Sequence, residues 1–167
     1  ILESSMSLSR DSRNCQLWRS QQILPACLRK CCLNTDPGRH ETWAALDPEL
    51  PTAPVSGVAS IWRSDSDPKH AEISLTVADE RQRCGVGTVL FAVLWLRAVN
   101  AGIGELFGHV LPDNHRMLDW MRALGARLKL AGGQFTFHLP LSEEELRPTP
   151  TAARLIARIH ELQSMRL

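Results

Sequence analysis

The hydrophobic pattern changes near residue 80: short strand-like runs precede it, and a long apolar run follows it. The early runs, 41–47, 55–63 and 70–78, predict three β-strands. A Pro-rich segment separates the first two and a Ser/Asp-rich segment the next two, which favours an antiparallel meander. Residues 86–100 instead carry apolar side chains around nearly the whole helical circumference, which predicts a helix buried on most sides and packed on a sheet.

The second half of the chain contains clear start and stop signals. We predict a strand at 105–111, then a helix that Asn114 caps and that Gly125 ends after Leu124. A hairpin at 127–130 and 134–139 turns around Gly132 and Gly133, and an amphipathic helix follows Pro150. Helical spacing also occurs at 8–18 and 23–33. The order predicts a mixed α/β sandwich with one strand–helix–strand crossover.

Composition narrows the function classes. The 167 residues suit one domain, and a formal charge of +1 removes the main sequence argument for a nucleic-acid or membrane partner. Five Cys without a secretory leader indicate reduced thiols and a cytoplasmic protein. The Cys27, Cys31 and Cys32 group lacks metal-spaced partners, so we expect buried thiols there and no metal.

One motif, Gln-Arg-Cys-Gly-Val-Gly-Thr at 82–88, lies between a predicted strand and the buried helix. Glycines let backbone N–H groups approach a ligand, and the helix N-terminus adds partial positive charge, so the segment suits a pyrophosphate. A dinucleotide fingerprint is excluded by Leu90, and a Walker loop by the absence of Lys between Gly87 and Thr88. A tight turn without any ligand is the alternative.

The pattern Gln-x-x-Gly-x-Gly resembles the GNAT acyltransferase superfamily, in which it opens the helix that binds acetyl-CoA. The segments 71–79 and 108–118, and Leu124-Gly125-Ala126, resemble bacterial protein lysine acetyltransferases of the Pat type. The resemblance covers about 41–139 and implies a GNAT fold: a mixed, mostly antiparallel sheet with a central splayed strand pair and flanking helices. It implies a GNAT domain at 1–147, with the family's first strand preceding Ile1, and a linker with the C-terminal helix at 148–167.

The same resemblance implies where acetyl-CoA binds. The backbone of Leu75, Thr76 and Val77 would pair with the acetyl-pantetheine arm. Asn114 would contact the pantetheine or the strand opposite, and Met117 would be a further cofactor-binding residue. The pyrophosphate would be wrapped by Gln82, Arg83, Cys84, Gly85, Val86, Gly87 and Thr88. A Tyr that protonates the departing thiolate is common seven residues after Asn114, where this chain has Met121 and where no Tyr can substitute, because the chain has none.

Glu72 is the general base in the Pat-type pattern, and strand alternation supports this choice. Alternation places His70, Glu72, Ser74 and Thr76 on one face and apolar residues on the other. A lysine amine, with a pKa near ~10.4, must lose a proton before it attacks, whereas a glutamate near ~4.3 accepts one only if burial or a relaying water helps. We therefore expect direct attack in a ternary complex, with the Val77 N–H as oxyanion donor. The alternative is a solvated sheet residue.

Several alternatives stay open at this point. A protein lysine is the first choice of acceptor; a small-molecule amine, or a regulatory module that binds acetyl-CoA without turnover, are the others. An acyl-cysteine on Cys84 is a further, weaker alternative. His109 and His115 flank the candidate site and are either proton relays or ordinary loop histidines. The oligomeric state is open.

Overall fold

The structure is a computed structural model that describes residues 39–45 and 55–165. Its strands are β1 His40–Ala45, β2 Gly57–Arg63, β3 His70–Val77, β4 Glu105–Val110, β5 Arg127–Ala131 and β6 Gln134–Pro140. Its helices are α1 Val86–Asn100, α2 His115–Leu124 and α3 Pro150–Ser164, with short 3₁₀ turns at Asp79–Arg81 and Glu143–Glu145. These elements confirm the predicted strands and helices after residue 40. The helical spacing at 8–18 and 23–33 and the Cys27–Cys32 group lie outside the described residues.

The strands form one sheet in the order β1-β2-β3-β4-β6-β5. The neighbours β3 and β4 are parallel, joined by the crossover through α1, and all other neighbours are antiparallel. The meander of the first three strands and the mixed, mostly antiparallel α/β fold are therefore confirmed. The prediction of one crossover was wrong, because α2 makes a second one: it joins β4 to β5, which runs parallel to β4 with β6 between them.

The parallel pair separates near the middle of the sheet. Strand β3 pairs with β4 only at His70/Glu105, Ala71/Leu106 and Glu72/Phe107. Just beyond, a Cβ on Gly108 would lie 2.9 Å from the Ile73 carbonyl oxygen and 2.7 Å from the Phe137 ring, so only glycine permits this close approach. Past this point the C-terminal half of β3 has no ladder partner on β4, which confirms the splayed central pair.

Among residues 39–45 and 55–165, the buried core lies on one side of the sheet. Its strand residues and the buried residues of all three helices form a single cluster, which includes Ile61, Ile73, Leu106, Phe137, Phe91, Leu94, Leu118, Met121, Leu155 and Ile159. Helix α3 belongs to this cluster, while the predicted boundary at residue 147/148 stays a prediction. Trp95 is buried, and Trp120 packs edge-to-face against Phe91 with ring centroids 5.2 Å apart.

Local contacts determine where the helices begin and end. Asn114 Oδ1 accepts a hydrogen bond from the Met117 N–H at 3.1 Å, and Gly125, at φ 98°, ends α2 in the left-handed conformation.

At the edge of the sheet, Arg97 of α1 donates two hydrogen bonds of 2.8 Å to Glu41 of β1, which raise the pKa of Arg97. No described helix combines the length and apolar character needed to cross a bilayer.

Candidate active site

The open edge of β3 presents backbone groups to the gap beside β4. The Ala78 N–H bonds to the Ser56 carbonyl at 3.0 Å, and the Ser64 N–H bonds to the His70 carbonyl at 2.9 Å. Because hydrogen-bonded pairs alternate along an antiparallel ladder, these two bonds place the backbone groups of Leu75 and Val77 on the side away from β2. The predicted backbone sites at residues 75 and 77 thus face the gap, whereas alternation turns the Thr76 backbone towards β2.

The Thr76 side chain adds a polar atom to this region. Its Oγ1 is buried and has no hydrogen-bond partner within the described part of the chain. A buried hydroxyl without a partner costs about 1–3 kcal/mol unless a ligand or water completes it. The position next to the open backbone edge therefore fits a ligand with amide or carbonyl groups, such as a pantetheine arm.

The loop before α1 has the geometry of an anion cradle. Gly85 is the helix N-cap at φ 84°, without a side-chain cap, and Arg83 has φ 63°. First-turn N–H groups of α1 therefore point outward at the positive end of the helix dipole. Gly87 lies against the end of β3: a Cβ there would be 3.6 Å from Val77 Cγ2 and 3.9 Å from Leu75 Cδ2. The structure thus brings the predicted phosphate loop to the end of the open strand edge.

Gln82 holds this loop to its surroundings. Its Nε2 donates to Asp79 Oδ1 at 2.9 Å and to the Val77 carbonyl at 3.4 Å. Its Oε1 accepts from Arg116 Nη1 at 2.7 Å, so the loop is tied to the first turn of α2. Sequence reasoning missed Arg116. The signal for it is a cation in the first turn of a helix, where the dipole disfavours positive charge.

The remaining predicted cofactor residues have structural contacts of their own. Asn114 caps α2 through Oδ1, and Met117 is half-buried against the core. Met121 is 1% exposed and is a core residue, so it offers no proton to a leaving group. Cys84 is exposed, with Sγ 3.6 Å from the Gln82 carbonyl oxygen.

Glu72 has a histidine neighbour on β4. The parallel register sets Glu72 beside Phe107, and His109 follows on the same face. His109 Nε2 lies 3.9 Å from Glu72 Oε1, and its Nδ1 lies 3.2 Å from Thr136 Oγ1. The Glu72 side chain is 47% exposed and that of His109 is 28% exposed. Sequence reasoning placed His109 near the site without a partner, and the structure supplies Glu72 and Thr136.

A second polar cluster anchors the beginning of β3 next to Glu72. Glu105 accepts from Arg127 at 2.6 Å and lies 2.7 Å from His138 Nδ1 and 3.4 Å from His70 Nε2. His70 Nδ1 is also 2.8 Å from Asp67 Oδ2. The pKa of Asp67 is lowered mainly by the hydrogen bond that its carboxylate accepts from the Lys69 N–H, and further by the hydrogen bond and charge of His70.

Across residues 39–45 and 55–165, no three His, Cys, Asp or Glu side chains form a potential metal-binding group.

Comparisons with known proteins place this geometry in context. The model of the Acetyltransferase (GNAT) family matches residues 7–126. Acetyltransferase Pat from Mycolicibacterium smegmatis is 32% identical over 87 residues, which are 52% of this chain and 26% of that protein. The chain therefore spans about a quarter of the length of this curated relative.

Solved structures share the fold at low sequence identity. The GNAT domain of S. lividans PAT has a TM-score of 0.74 at 18% identity, over 83% of this chain and 82% of that chain. Ribosomal-protein-alanine N-acetyltransferase from Brucella melitensis has a TM-score of 0.64 at 15% identity, over 83% and 93%. The cAMP-binding acyltransferase from Mycobacterium smegmatis has a TM-score of 0.58 at 21% identity, over 90% and 49%.

Proposed function

The chain belongs to the acetyltransferase (GNAT) family, and from this premise we propose that it transfers an acetyl group from acetyl-CoA to a primary amine, with a protein lysine as the acceptor. The proposal rests on one observation: the loop at Gly85, with its outward N–H groups, lies next to the open backbone edge of β3. The first suits a pyrophosphate and the second an extended amide-containing arm.

Acetyl-CoA would then be held by groups already described. The loop from Gln82 to Thr88 would bind the pyrophosphate, and Leu75 and Val77 would pair with the pantetheine amides. The buried Thr76 hydroxyl, which has no partner among the described residues, supports a polar ligand here. When bound, acetyl-CoA supplies an acetyl group activated as a thioester.

Proton transfer would take place near the N-terminal end of β3, where Glu72 lies. Glu72 would be the carboxylate of the general base that takes a proton from the acceptor amine, directly or through a relay, so that the neutral amine attacks the thioester carbonyl. Strand geometry places Val77 about 16 Å from Glu72 and Leu75 about 10 Å from it. The Leu75 N–H is therefore the better oxyanion donor in our proposal, and the Val77 N–H is left to the arm.

The acyl-cysteine route is disfavoured by position. Cys84 lies in the phosphate-binding loop beyond the end of β3, whereas the reacting carbonyl must lie near Glu72. A thiol there would face the phosphates of the ligand and not its acetyl group. Direct transfer in a ternary complex follows from this separation.

We expect Glu72→Gln to lower kcat by about 10²–10⁴-fold with acetyl-CoA affinity unchanged, because a positioned base contributes about that factor. The measurement is CoA release with lysine peptides and with small amines, beside calorimetric binding of acetyl-CoA. Glu144→Gln, an exposed carboxylate outside the site, is the matched control and should keep the wild-type rate. Near-normal turnover by Glu72→Gln would contradict the assignment, and turnover of small amines alone would replace the lysine acceptor.

One observation favours a second candidate, a module that binds acetyl-CoA without turnover. The expected tyrosine position is Met121 in the core, and the chain contains no tyrosine. Such a module would bind acetyl-CoA in calorimetry, release no CoA with any amine, and be indifferent to Glu72→Gln. The same pair of assays therefore separates the two functions.

A further inference from the structure

His109 lies against Glu72 at the point where β3 and β4 separate. The distance of 3.9 Å between His109 Nε2 and Glu72 Oε1 suits an ion pair when the imidazole is protonated. The imidazole is the less exposed of the two groups, at 28% against 47%. An acceptor amine that reaches Glu72 from the gap therefore meets both side chains.

The other ring nitrogen of His109 is held by β6. Thr136 is the register partner of His109, with Oγ1 3.2 Å from Nδ1, and Gln134 Nε2 lies 3.4 Å from the same nitrogen. Phe107 packs edge-on against the ring, with centroids 6.3 Å apart. The Thr136 hydroxyl can accept from a protonated Nδ1 or donate to a bare one. The imidazole is thus fixed in place while its protonation state is left adjustable.

Basicity favours the histidine over the glutamate as the group that takes the proton. An ordinary imidazole has a pKa near ~6.5, about two units above that of a glutamate and about four below that of a lysine. A proton leaving an ammonium group therefore passes to an imidazole at a smaller free-energy cost. A carboxylate within ion-pair distance lowers that cost further by stabilising the imidazolium.

We propose that His109 and Glu72 act as a pair, in which His109 Nε2 receives the proton of the acceptor ammonium and Glu72 stabilises the imidazolium; this rests on the proposed acetyl transfer. The amine lone pair then forms the C–N bond and the C–S bond breaks. The second nitrogen proton goes to the CoA thiolate, directly or through solvent, and His109 returns its proton to solvent. One ammonium and one thioester give one amide, one thiol and one proton.

Other charged groups lie on the same sheet face as the pair. Glu105 and His70 lie on the same sheet face at the beginning of the β3–β4 pair, and they bond to each other rather than to His109. The groups that face this side of the sheet from β6 and β5 are His138, Arg127 and Lys129. Arg127 and His138 are bonded to Glu105, and Glu72 Oε1 lies 3.9 Å from His109 Nε2.

The experiment is a pH profile of kcat/KM together with a double-mutant cycle of His109 and Glu72. We expect wild type to gain rate as His109 deprotonates, and His109→Gln to lose that inflection with at least about 10²-fold of the rate. Glu72→Gln, which leaves His109 in place, should lower kcat/KM, and the double variant should lose less than the product of the two single losses. His115→Gln, an exposed histidine at the start of α2, is the matched control and should keep the inflection.

The outcomes distinguish this proposal from the proposed function. An active wild type whose rate and inflection survive His109→Gln overturns the role of His109 and leaves acetyl transfer standing. A wild type that binds acetyl-CoA but acetylates no amine overturns both the proposed function and the proton transfer. The pairing itself is tested by the double-mutant cycle, because single losses that simply multiply in the double variant of His109→Gln and Glu72→Gln would overturn it.

Discussion

Gly85 and Gly87, in the proposed phosphate-binding loop, differ in why each position is glycine. Gly85 has φ 84°, a conformation that side chains disfavour, and a Cβ there would meet nothing within 4 Å. Gly87 has no such backbone restriction, and a Cβ there would make ordinary contacts with Val77 and Leu75. Only the first glycine is therefore required by the backbone of the cradle.

We expect Gly85→Ala to cost about 1–2 kcal/mol of unfolding free energy and to weaken acetyl-CoA binding, because a left-handed alanine strains the loop. Gly87→Ala is the comparison for stability; it should add up to about 1 kcal/mol to the free energy of unfolding, since alanine favours helix more than glycine. Urea denaturation and calorimetry measure both quantities. Equal effects of the two substitutions would show that φ at residue 85 is not what matters.

At the scale of elements, α2 and α3 are joined through Thr149. Its Oγ1 accepts from the Ala152 N–H at 3.1 Å, as the N-cap of α3, and donates to the Ala123 carbonyl in the last turn of α2 at 2.8 Å. One hydroxyl therefore satisfies a helix start and a helix end together. The apolar side of α3, with Leu155 and Ile159 fully buried, depends on this placement.

Thr149→Ala should lower the free energy of unfolding by about 1–2 kcal/mol, because it removes an N-cap and leaves the Ala123 carbonyl without its donor. Thr149→Ser keeps the hydroxyl and should recover most of the loss. Chemical denaturation of the three proteins provides the comparison. If serine proved as destabilising as alanine, the lost methyl packing and not the hydrogen bonds would be responsible.

At the scale of the whole molecule, a ligand that binds only the folded chain raises its stability. Acetyl-CoA at one hundred times its Kd should add about 2.7 kcal/mol, a rise of roughly 5–10 °C in Tm for a domain of this size. CoA should give a similar rise, because the loop and the β3 edge hold the parts the two ligands share. NAD and ATP are the comparison ligands. No rise with either CoA compound, or an equal rise with all four, would remove the cofactor from the proposal.

Most of the features that could be predicted depend on residues that are close together in the sequence. Strand alternation, the Asn114 cap and the Gly125 stop involve neighbours two to four positions apart, so the elements and the face of Glu72 follow from the chain itself. The family motif likewise lies in one continuous segment, 82–88. The predictions of a splayed strand pair and of acetyl-CoA as the ligand came from the resemblance to a family and not from hydrophobic periodicity.

Contacts between distant segments were decided only by the tertiary structure. The pairing of Glu72 with His109 depends on the register of β3 against β4, and that of Gln82 with Arg116 on how α2 packs beside the loop. Likewise, Glu105 gathers partners from β3, β5 and β6. Periodicity specifies which face a residue occupies but not its neighbour on the next strand, because register and helix placement are selected by burial of the shared core.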